Sequence, residues 1–214
     1  MKNKKNIIIS ILLTIISVVY VYIVKVYDVK AIGPNNSSVG FSSLNKWFNN
    51  LTGYHEDIYK ITELFGLAIL AIVGIYALIG LIELIKRKSI FKVDREIICL
   101  GFLYVLMFTM YIAFEKVIIN YRPVLIDNEL EASFPSSHTV LAICTCISSL
   151  IASKKYLNNK LYGICEFFTV SFLTIVFIGR TISGVHWLSD IIGGVIISST
   201  FLMYFYTLLK YKKE

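Results

Sequence analysis

Six long apolar blocks limit what this chain can fold into more than any other feature of its sequence. They cover roughly residues 6–24, 64–85, 97–114, 139–153, 163–179 and 190–208. At ~1.5 Å of rise per residue, each block spans or nearly spans the ~30 Å hydrocarbon layer of a membrane. Charged residues make up only 16% of the chain, whereas about a quarter is usual in soluble domains. The sequence therefore predicts an all-α membrane protein, a bundle of six transmembrane helices in a single domain over residues 1–214.

The first and fourth blocks differ from the others. The first follows a basic stretch, as the apolar part of a secretory signal peptide does, but it is long for such a peptide and no clear A-x-A cleavage site follows it. We therefore expect a retained helix. The fourth block is short and carries hydroxyl residues, so we expect it to lie inside the bundle; these residues are Thr139, Thr145, Ser148 and Ser149.

The basic residues predict the orientation of the chain. If the N-terminus is cytoplasmic and the chain crosses six times, two thirds of the 21 Lys and Arg residues lie inside: Lys2, Lys4, Lys5, Lys86, Arg87, Lys88, Lys92, Arg95, Lys154, Lys155, Lys160, Lys210, Lys212 and Lys213. The others are Lys25, Lys30, Lys46, Lys60, Lys116, Arg122 and Arg180. This bias follows the positive-inside rule, and it predicts that both termini are cytoplasmic.

The net charge of +7 does not indicate a nucleic-acid partner. The basic residues form short clusters at the ends of apolar blocks, which membrane topology explains directly. The four cysteines all lie inside apolar blocks, whereas a disulfide framework or a zinc site would need them in loops at ligand spacing. We therefore expect the cysteines to be packing residues; they are Cys99, Cys144, Cys146 and Cys165.

The longest predicted outer segment covers residues 25–62. After Gly33-Pro34, its apolar side chains recur at one-sided helical spacing, at Phe41, Leu44, Trp47, Phe48 and Leu51. This pattern predicts a short helix that lies in the membrane interface. An ordinary loop with scattered aromatic residues fits the same residues equally well.

Three short polar stretches lie on the predicted outer side, at residues 115–123, 133–138 and 179–190. Arg122 and Arg180 carry guanidinium groups that can each make two hydrogen bonds to a phosphate. The segment Pro135–His138 precedes an apolar block, so its free backbone N–H groups point at an incoming anion. Singly, an arginine at a membrane boundary or a serine before a helix has an ordinary structural explanation. Their occurrence together on one side of the membrane favours an anion site.

A nucleophile can be assigned within the same stretches. His186 and Asp190 are four residues apart, which places them on one face of a starting helix. The carboxylate can then hold one ring nitrogen of the histidine and leave the other free to attack. A structural hydrogen bond is the alternative explanation of this pair.

In their order and spacing, the three stretches resemble the signature of the type 2 phosphatidic acid phosphatase family, which shares its site with vanadium haloperoxidases and bacterial acid phosphatases. That signature runs K-x(6)-R-P, then P-S-G-H, then S-R-x(5)-H-x(3)-D. The matching residues here are Arg122-Pro123, Pro135-Ser136-x-His138 and Arg180-x(5)-His186-x(3)-Asp190. With the six-helix layout, the resemblance covers nearly the whole chain.

The resemblance implies a role for each matched residue. His186 would attack phosphorus to form a phosphohistidine, and Asp190 would orient His186. His138 would protonate the leaving oxygen and then activate water. The charge on the equatorial oxygens must be stabilised in the transition state, and the groups implied for this are Arg122, Arg180, Ser136 and the Ser137 N–H. No carboxylate cluster suited to a metal is visible near these residues, so we expect turnover without a metal or another cofactor.

The chain departs from the family signature at three positions. Ser137 and Gly179 replace a glycine and a serine, and both changes look tolerable. Glu115 stands where the family has lysine, and Lys116 follows one position late, as a candidate phosphate donor. A carboxylate repels a bound dianion, so three accounts are open: Lys116 has taken over, Glu115 is neutral through burial, or Glu115 pairs with an arginine and positions it. We favour the pairing with Arg122 or Arg180.

The sequence thus predicts a membrane phosphatase that acts on a lipid phosphomonoester or diphosphate at the outer leaflet. The outward site favours a polyprenyl carrier such as undecaprenyl diphosphate, because that product is released on the outer side. Phosphatidylglycerol phosphate, phosphatidate and lipid A phosphate remain alternatives, as do a lipid phosphotransferase and a catalytically decayed protein that binds lipid phosphate. The expected partners are the lipid substrate and the bilayer, and the sequence does not indicate an oligomeric state.

Overall fold

The computed structural model describes residues 2–211, with side chains from residue 4 onward. Seven α-helices follow one another in this part of the chain: α1 (Lys2–Val26), α2 (Ser42–Thr52), α3 (Glu56–Arg87), α4 (Arg95–Lys116), α5 (Ser137–Ser153), α6 (Asn159–Ile182) and α7 (Leu188–Lys210). Two short strands, β1 (Lys30–Ala31) and β2 (Ser38–Val39), form an antiparallel hairpin between α1 and α2. Each apolar block of the sequence lies within one helix, and α2 lies in the segment 25–62.

Five of the described helices, α1, α3, α4, α6 and α7, are long and apolar enough to cross a membrane. They expose large apolar side chains such as Ile8, Leu78 and Phe167, which a hydrocarbon layer would cover. The chain is therefore a multi-pass membrane protein. Helix α5 has 17 residues, so it reaches about 25 Å at ~1.5 Å per residue.

Helix α7 lies at the centre of the bundle and packs against α1, α4 and α5. The largest core cluster joins α4, α5 and α7 through side chains that include Leu100, Leu103, Val140 and Phe205. Helix α5 is enclosed, and its hydroxyl residues Thr139, Thr145 and Ser148 are buried, as the fourth apolar block predicted. Three of the four cysteines are buried in the same way, whereas Cys165 is exposed on α6.

Helix α1 is attached to α7 by hydroxyl groups that pair across the seam. These hydrogen bonds join Ser17 to Thr200 at 2.8 Å, Thr14 to Tyr204 at 2.8 Å and Ser10 to Thr207 at 3.3 Å. Polar side chains between apolar helices hold them in register, because a hydroxyl group in hydrocarbon is costly unless it is paired. The first apolar block is thus an integral helix of this bundle.

The segment 25–62 contains a helix, α2. The sequence had fitted either a helix or an ordinary loop in this segment. One face of α2 exposes Leu44, Trp47 and Leu51, at 38%, 60% and 70% of their surface. On the opposite face, Asn45 is buried; its amide donates to Ser189 Oγ at 2.8 Å and its Oδ1 accepts from the Ser189 N–H at 3.0 Å. Helix α2 is therefore amphipathic and is held against the start of α7.

The two ends of the bundle differ in composition. One end carries α2 and the loops 117–136 and 183–187, which contain most of the polar stretches. The other end carries a charged network in which Asp94 accepts from Arg87 at 2.7 Å and from Lys155 at 2.9 Å. The N-terminal part of α1 and the last turn of α7 both lie at this second end, since Ser10 contacts Thr207. Lys212 and Lys213, and the side chain of Lys2, which entered the orientation count, lie outside the described residues.

Candidate active site

The structure brings the three polar stretches together at one end of the bundle. The Ser136 N–H donates to the Asp190 carbonyl at 3.1 Å, which joins the start of α5 to the start of α7. The indole N–H of Trp187 donates to the Tyr121 carbonyl at 2.6 Å, which joins the loop before α7 to the loop after α4. Between these elements lies a cavity of about 590 Å³ whose lining includes Arg122, Ser137, His138 and His186.

His186 lies in the loop between α6 and α7 and is 5% exposed. Its Nδ1 is 3.2 Å from Ser133 Oγ, and its Nε2 is 3.3 Å from Arg180 Nη2. A guanidinium can only donate, so Nε2 must present its lone pair and Nδ1 must carry the hydrogen. In this tautomer the lone pair that can attack phosphorus is on Nε2. Burial, with the nearby Arg180 and Arg122, lowers the pKa of His186 well below its ordinary value, which keeps the imidazole neutral and nucleophilic.

Asp190 is connected to His186 through a third side chain. Its Oδ2 accepts from Ser133 Oγ at 2.5 Å and from the Trp187 N–H at 3.0 Å, and its Oδ1 accepts from Asn120 at 3.0 Å. The direct contact predicted from the i, i+4 spacing is wrong, because α7 begins only at Leu188 and His186 precedes it in non-helical backbone. Instead, Nδ1–H donates to Ser133, which donates to Asp190.

Arg180 is fully buried at the C-terminal end of α6. Its Nη1 donates to Glu63 Oε1 at 2.8 Å and to Thr62 Oγ1 at 3.1 Å, and its guanidinium lies 5.2 Å from the centre of the Tyr59 ring. Its Nε has no hydrogen-bond partner among the described residues. One edge of the guanidinium is thus anchored on α3, while Nη2 faces Nε2 of His186.

Arg122 lies in the loop after α4 and lines the cavity. Its Nε is 3.0 Å from Glu131 Oε2, and its backbone N–H donates to the Glu131 carbonyl at 3.0 Å. The side-chain approach does not have hydrogen-bond geometry, so Nε and Nη1 are buried without a partner in the described part of the chain. Buried unpaired donors are costly, and here they belong to a cation beside a cavity that His186 also lines. Arg122 is therefore able to bind an anion.

The start of α5 supplies the residues of the second stretch. Ser136 is buried, its Oγ accepts from Thr139 at 2.9 Å, and it does not line the cavity. Ser137 does line the cavity, and its N–H lies in the first turn of α5, where backbone donors have no partner within the helix. His138 Nε2 lies 3.5 Å from Glu63 Oε2. The geometry thus favours Ser137 over Ser136 as the direct contact to an anion.

Glu115 and Lys116 are both exposed at the end of α4. Glu115 lines the cavity, but the carboxylates that lie against Arg122 and Arg180 are those of Glu131 and Glu63. The pairing favoured for Glu115 is therefore wrong, because two carboxylates from other elements have taken both arginines. Exposure also argues against the account in which burial neutralises Glu115. Lys116 lies outside the cavity lining and is not brought to the site.

An apolar groove adjoins the polar cavity. It has a volume of about 890 Å³ and runs between α3, α4 and α5, with Leu67, Val73, Phe108 and Val140 in its walls. The two spaces meet at side chains that line both of them, namely Glu63, Met110, Tyr111, Ser137 and His138. A ligand with a phosphate head and a hydrocarbon tail can occupy both spaces at once. Within residues 4–211, His, Cys, Asp and Glu side chains form no group of three or more that could hold a metal.

Several residues of this site were not predicted from the sequence. Ser133 stood inside the second stretch without a role, and Asn120 stood inside the first. Glu131, Thr62 and Glu63 lay outside all three stretches. For Glu63, one signal was available, since a carboxylate next to a long apolar block is costly in a membrane unless it has a partner.

Comparisons with known proteins identify a family and a similar fold. The family model of the PAP2 superfamily matches residues 97–214, which contain all three polar stretches. The fold is similar to that in the crystal structure of the first transmembrane PAP2 type phosphatidylglycerolphosphate phosphatase from Bacillus subtilis. The TM-score is 0.59 at 19% sequence identity, over 92% of this chain and 93% of that chain. No curated protein sequence matches the chain.

Proposed function

This chain belongs to the PAP2 superfamily, and we propose that it is a membrane phosphatase that hydrolyses a lipid phosphate through a phosphohistidine intermediate. The observation that carries the proposal is the contact between the polar cavity and the apolar groove. A soluble phosphate ester needs only the polar cavity, whereas a lipid phosphate fills both the cavity and the groove. Burial of a hydrocarbon tail contributes about 0.8 kcal/mol per CH₂ group, so the groove selects lipids over soluble esters.

The first chemical step transfers the phosphoryl group to the enzyme. His186 Nε2 attacks phosphorus, and the N–P bond forms as the P–O bond to the lipid breaks. His138 gives a proton to the departing oxygen, so that a phosphomonoester releases the lipid alcohol and a diphosphate releases the lipid monophosphate. The imidazole of His186 becomes positively charged, and the path from Nδ1–H through Ser133 to Asp190 stabilises that charge. Arg122, Arg180 and the Ser137 N–H hold the equatorial oxygens.

The second step returns the enzyme to its starting state. His138, now neutral, takes a proton from a water molecule whose oxygen attacks phosphorus. The N–P bond breaks, inorganic phosphate leaves, and His186 regains its lone pair. His138 carries out every proton transfer in these two steps. We expect the reaction to proceed without a metal ion. The test is activity in excess EDTA, which should persist if this expectation is right.

We place the site on the extracytoplasmic side of a single domain that crosses the membrane six times, with both termini in the cytoplasm. The support is the distribution of basic residues, since the clusters at 86–95 and 154–160 lie at the end of the bundle opposite the site. An outward site favours a polyprenyl diphosphate, for example undecaprenyl diphosphate, as the substrate. Its phosphate chemistry then takes place in the outer leaflet.

Phosphatidylglycerol phosphate is the second candidate substrate. A specific observation favours it, because the similar solved structure is that of a phosphatidylglycerolphosphate phosphatase. Glu115 and Glu131 also line the cavity. The two phosphates of a diphosphate are adjacent, whereas a glycerol unit separates those of phosphatidylglycerol phosphate, so a diphosphate concentrates more negative charge near these carboxylates.

Phosphate release by the purified protein in detergent tests the proposal. The panel is polyprenyl diphosphate, phosphatidylglycerol phosphate, phosphatidate and a soluble phosphomonoester. We expect release from at least one lipid and much weaker release from the soluble ester. Product analysis with added lipid and sugar alcohols separates hydrolysis from phosphoryl transfer. Vanadate-sensitive release that favours the soluble ester would contradict the lipid assignment. If the wild-type protein releases no phosphate from any member of the panel, the alternative of a lipid-phosphate-binding protein is favoured instead.

A further inference from the structure

One face of α3 is directed at the site, although α3 precedes the part of the chain that the family model matches. Tyr59, Thr62, Glu63 and Gly66 are spaced i, i+3, i+4 and i+7, so they share that face. Tyr59 lies over the Arg180 guanidinium, and Thr62 and Glu63 accept hydrogen bonds from Arg180 Nη1. The side chains of Tyr59, Thr62 and Glu63 therefore all contact Arg180.

Gly66 allows α3 to approach α5 closely. A Cβ atom at this position would lie 2.6 Å from Nε2 of His138, closer than two such atoms can approach. The absence of a side chain therefore leaves room for the imidazole ring against the α3 backbone. One turn earlier, Glu63 Oε2 lies 3.5 Å from the same nitrogen. Helix α3 thus places the carboxylate of Glu63 between His138 and Arg180.

Glu63 is the charged residue on this face. Arg180 is fully buried, and a buried cation is costly unless a counter-ion and hydrogen bonds accompany it. Glu63 supplies the counter-ion to Nη1, while Nη2 of the same guanidinium faces His186 Nε2. The anchored nitrogen and the nitrogen that faces the reacting centre are therefore different atoms.

We propose that Glu63 is a positioning residue, which acts through Arg180 and holds the guanidinium where the transferred phosphoryl group needs it. The inference rests on the proposed function, because the phosphoryl group is the ligand of Arg180. Loss of the carboxylate leaves Arg180 in the site but free to tilt. The transition state, whose oxygens carry developing charge, loses more stabilisation than the bound substrate does.

The test is Glu63→Gln, which keeps the shape and the acceptor oxygen but removes the charge. We measure kcat and KM with the lipid that the wild-type enzyme hydrolyses best, and the inhibition constant of orthovanadate. We expect kcat to fall about tenfold, KM to change less than about threefold, and the vanadate constant to rise in proportion to the fall in kcat. Glu63→Asp, which keeps the charge on a shorter side chain, should recover part of both losses.

The matched control is Asp57→Asn, which removes a carboxylate from an exposed position on the same helix and should leave all three constants unchanged. Wild-type constants in Glu63→Gln overturn the inference. A lower kcat with an unchanged vanadate constant also overturns it, because misfolded enzyme reduces turnover without altering the inhibition of the folded fraction. Tighter vanadate binding overturns it as well, since Glu63 would then compete with the anion.

Two further measurements keep the inference testable. If Glu63→Gln does not fold, Thr62→Val removes the second acceptor from Arg180 Nη1 at nearly constant volume, and it should change kcat and the vanadate constant in the same direction by a smaller factor. If the wild-type protein hydrolyses no lipid in the panel, the proposed function fails but Glu63 can still be tested. Vanadate should then raise the Tm of the wild-type protein more than that of Glu63→Gln, and equal shifts overturn the inference.

Discussion

Replacement of Ser133 by alanine tests the path between Asp190 and the nucleophile. The hydroxyl of Ser133 accepts from His186 Nδ1 at 3.2 Å and donates to Asp190 at 2.5 Å. In the free enzyme the first bond joins neutral groups, which contributes about 0.5–1.5 kcal/mol; once His186 is phosphorylated the donor is charged, and the bond contributes about 1.5–3 kcal/mol. The substitution therefore removes about 1–1.5 kcal/mol more stabilisation from the transition state than from the ground state, so kcat should fall about fivefold to thirteenfold at nearly constant KM.

Steady-state phosphate release from the preferred lipid measures this effect. Ser198→Ala is the control, because Ser198 is a buried serine of α7 whose hydroxyl donates to the Gly194 carbonyl at 2.6 Å. In an Asp190→Asn background, Ser133→Ala should cost little more, since residues in one path are not additive. If Ser133→Ala retains wild-type kcat, or raises KM alone, the path through Ser133 does not stabilise the charged imidazole.

Three further predictions concern the nucleophile, the orientation and the departure from the family signature. His186→Ala should lose several orders of magnitude of activity and remain folded, whereas His55→Ala should matter little; more than about a tenth of wild-type turnover in His186→Ala contradicts a covalent mechanism. In a background without native cysteines, Glu129→Cys should react with a membrane-impermeant thiol reagent added to intact cells or spheroplasts, whereas Ser89→Cys should not. The reverse pattern would show that the proposed topology is inverted. Glu115→Gln and Lys116→Ala should both stay within about threefold of wild-type kcat/KM, because neither residue pairs with Arg122 or Arg180; a tenfold loss in either gives that residue a direct role.

Much of the fold and the list of matched site residues followed from the sequence. Long apolar blocks can satisfy their backbone groups in a membrane only as helices or closed barrels, and blocks of this length are helical. The family resemblance, read from Arg122-Pro123, Ser136-x-His138 and Arg180-x(5)-His186, is confirmed by the family model over residues 97–214. Short motifs at fixed spacing carry this information because, in the proposed mechanism, their residues act on one phosphate.

The partners of those residues were decided by the tertiary structure. The local spacing of His186 and Asp190 predicted a direct bond, but the start of α7 places Ser133 from a different loop between them. Charge repulsion predicted that a nearby carboxylate would pair with an arginine, and Glu115 was the nearest choice in the sequence. The structure instead uses Glu131 and Glu63, which lie 9 and 117 positions from the arginines they pair with.

The sequence by itself therefore determined the membrane class, the family and the candidate site residues that match the family signature, because apolar length and motif spacing are local properties of the chain. The tertiary structure decided which side chains hold them in place. Glu63 contacts Arg180 only because α3 and α6 pack side by side, with Gly179 of α6 against Thr62. Contacts between distant segments depend on helix packing and burial, which no local pattern specifies.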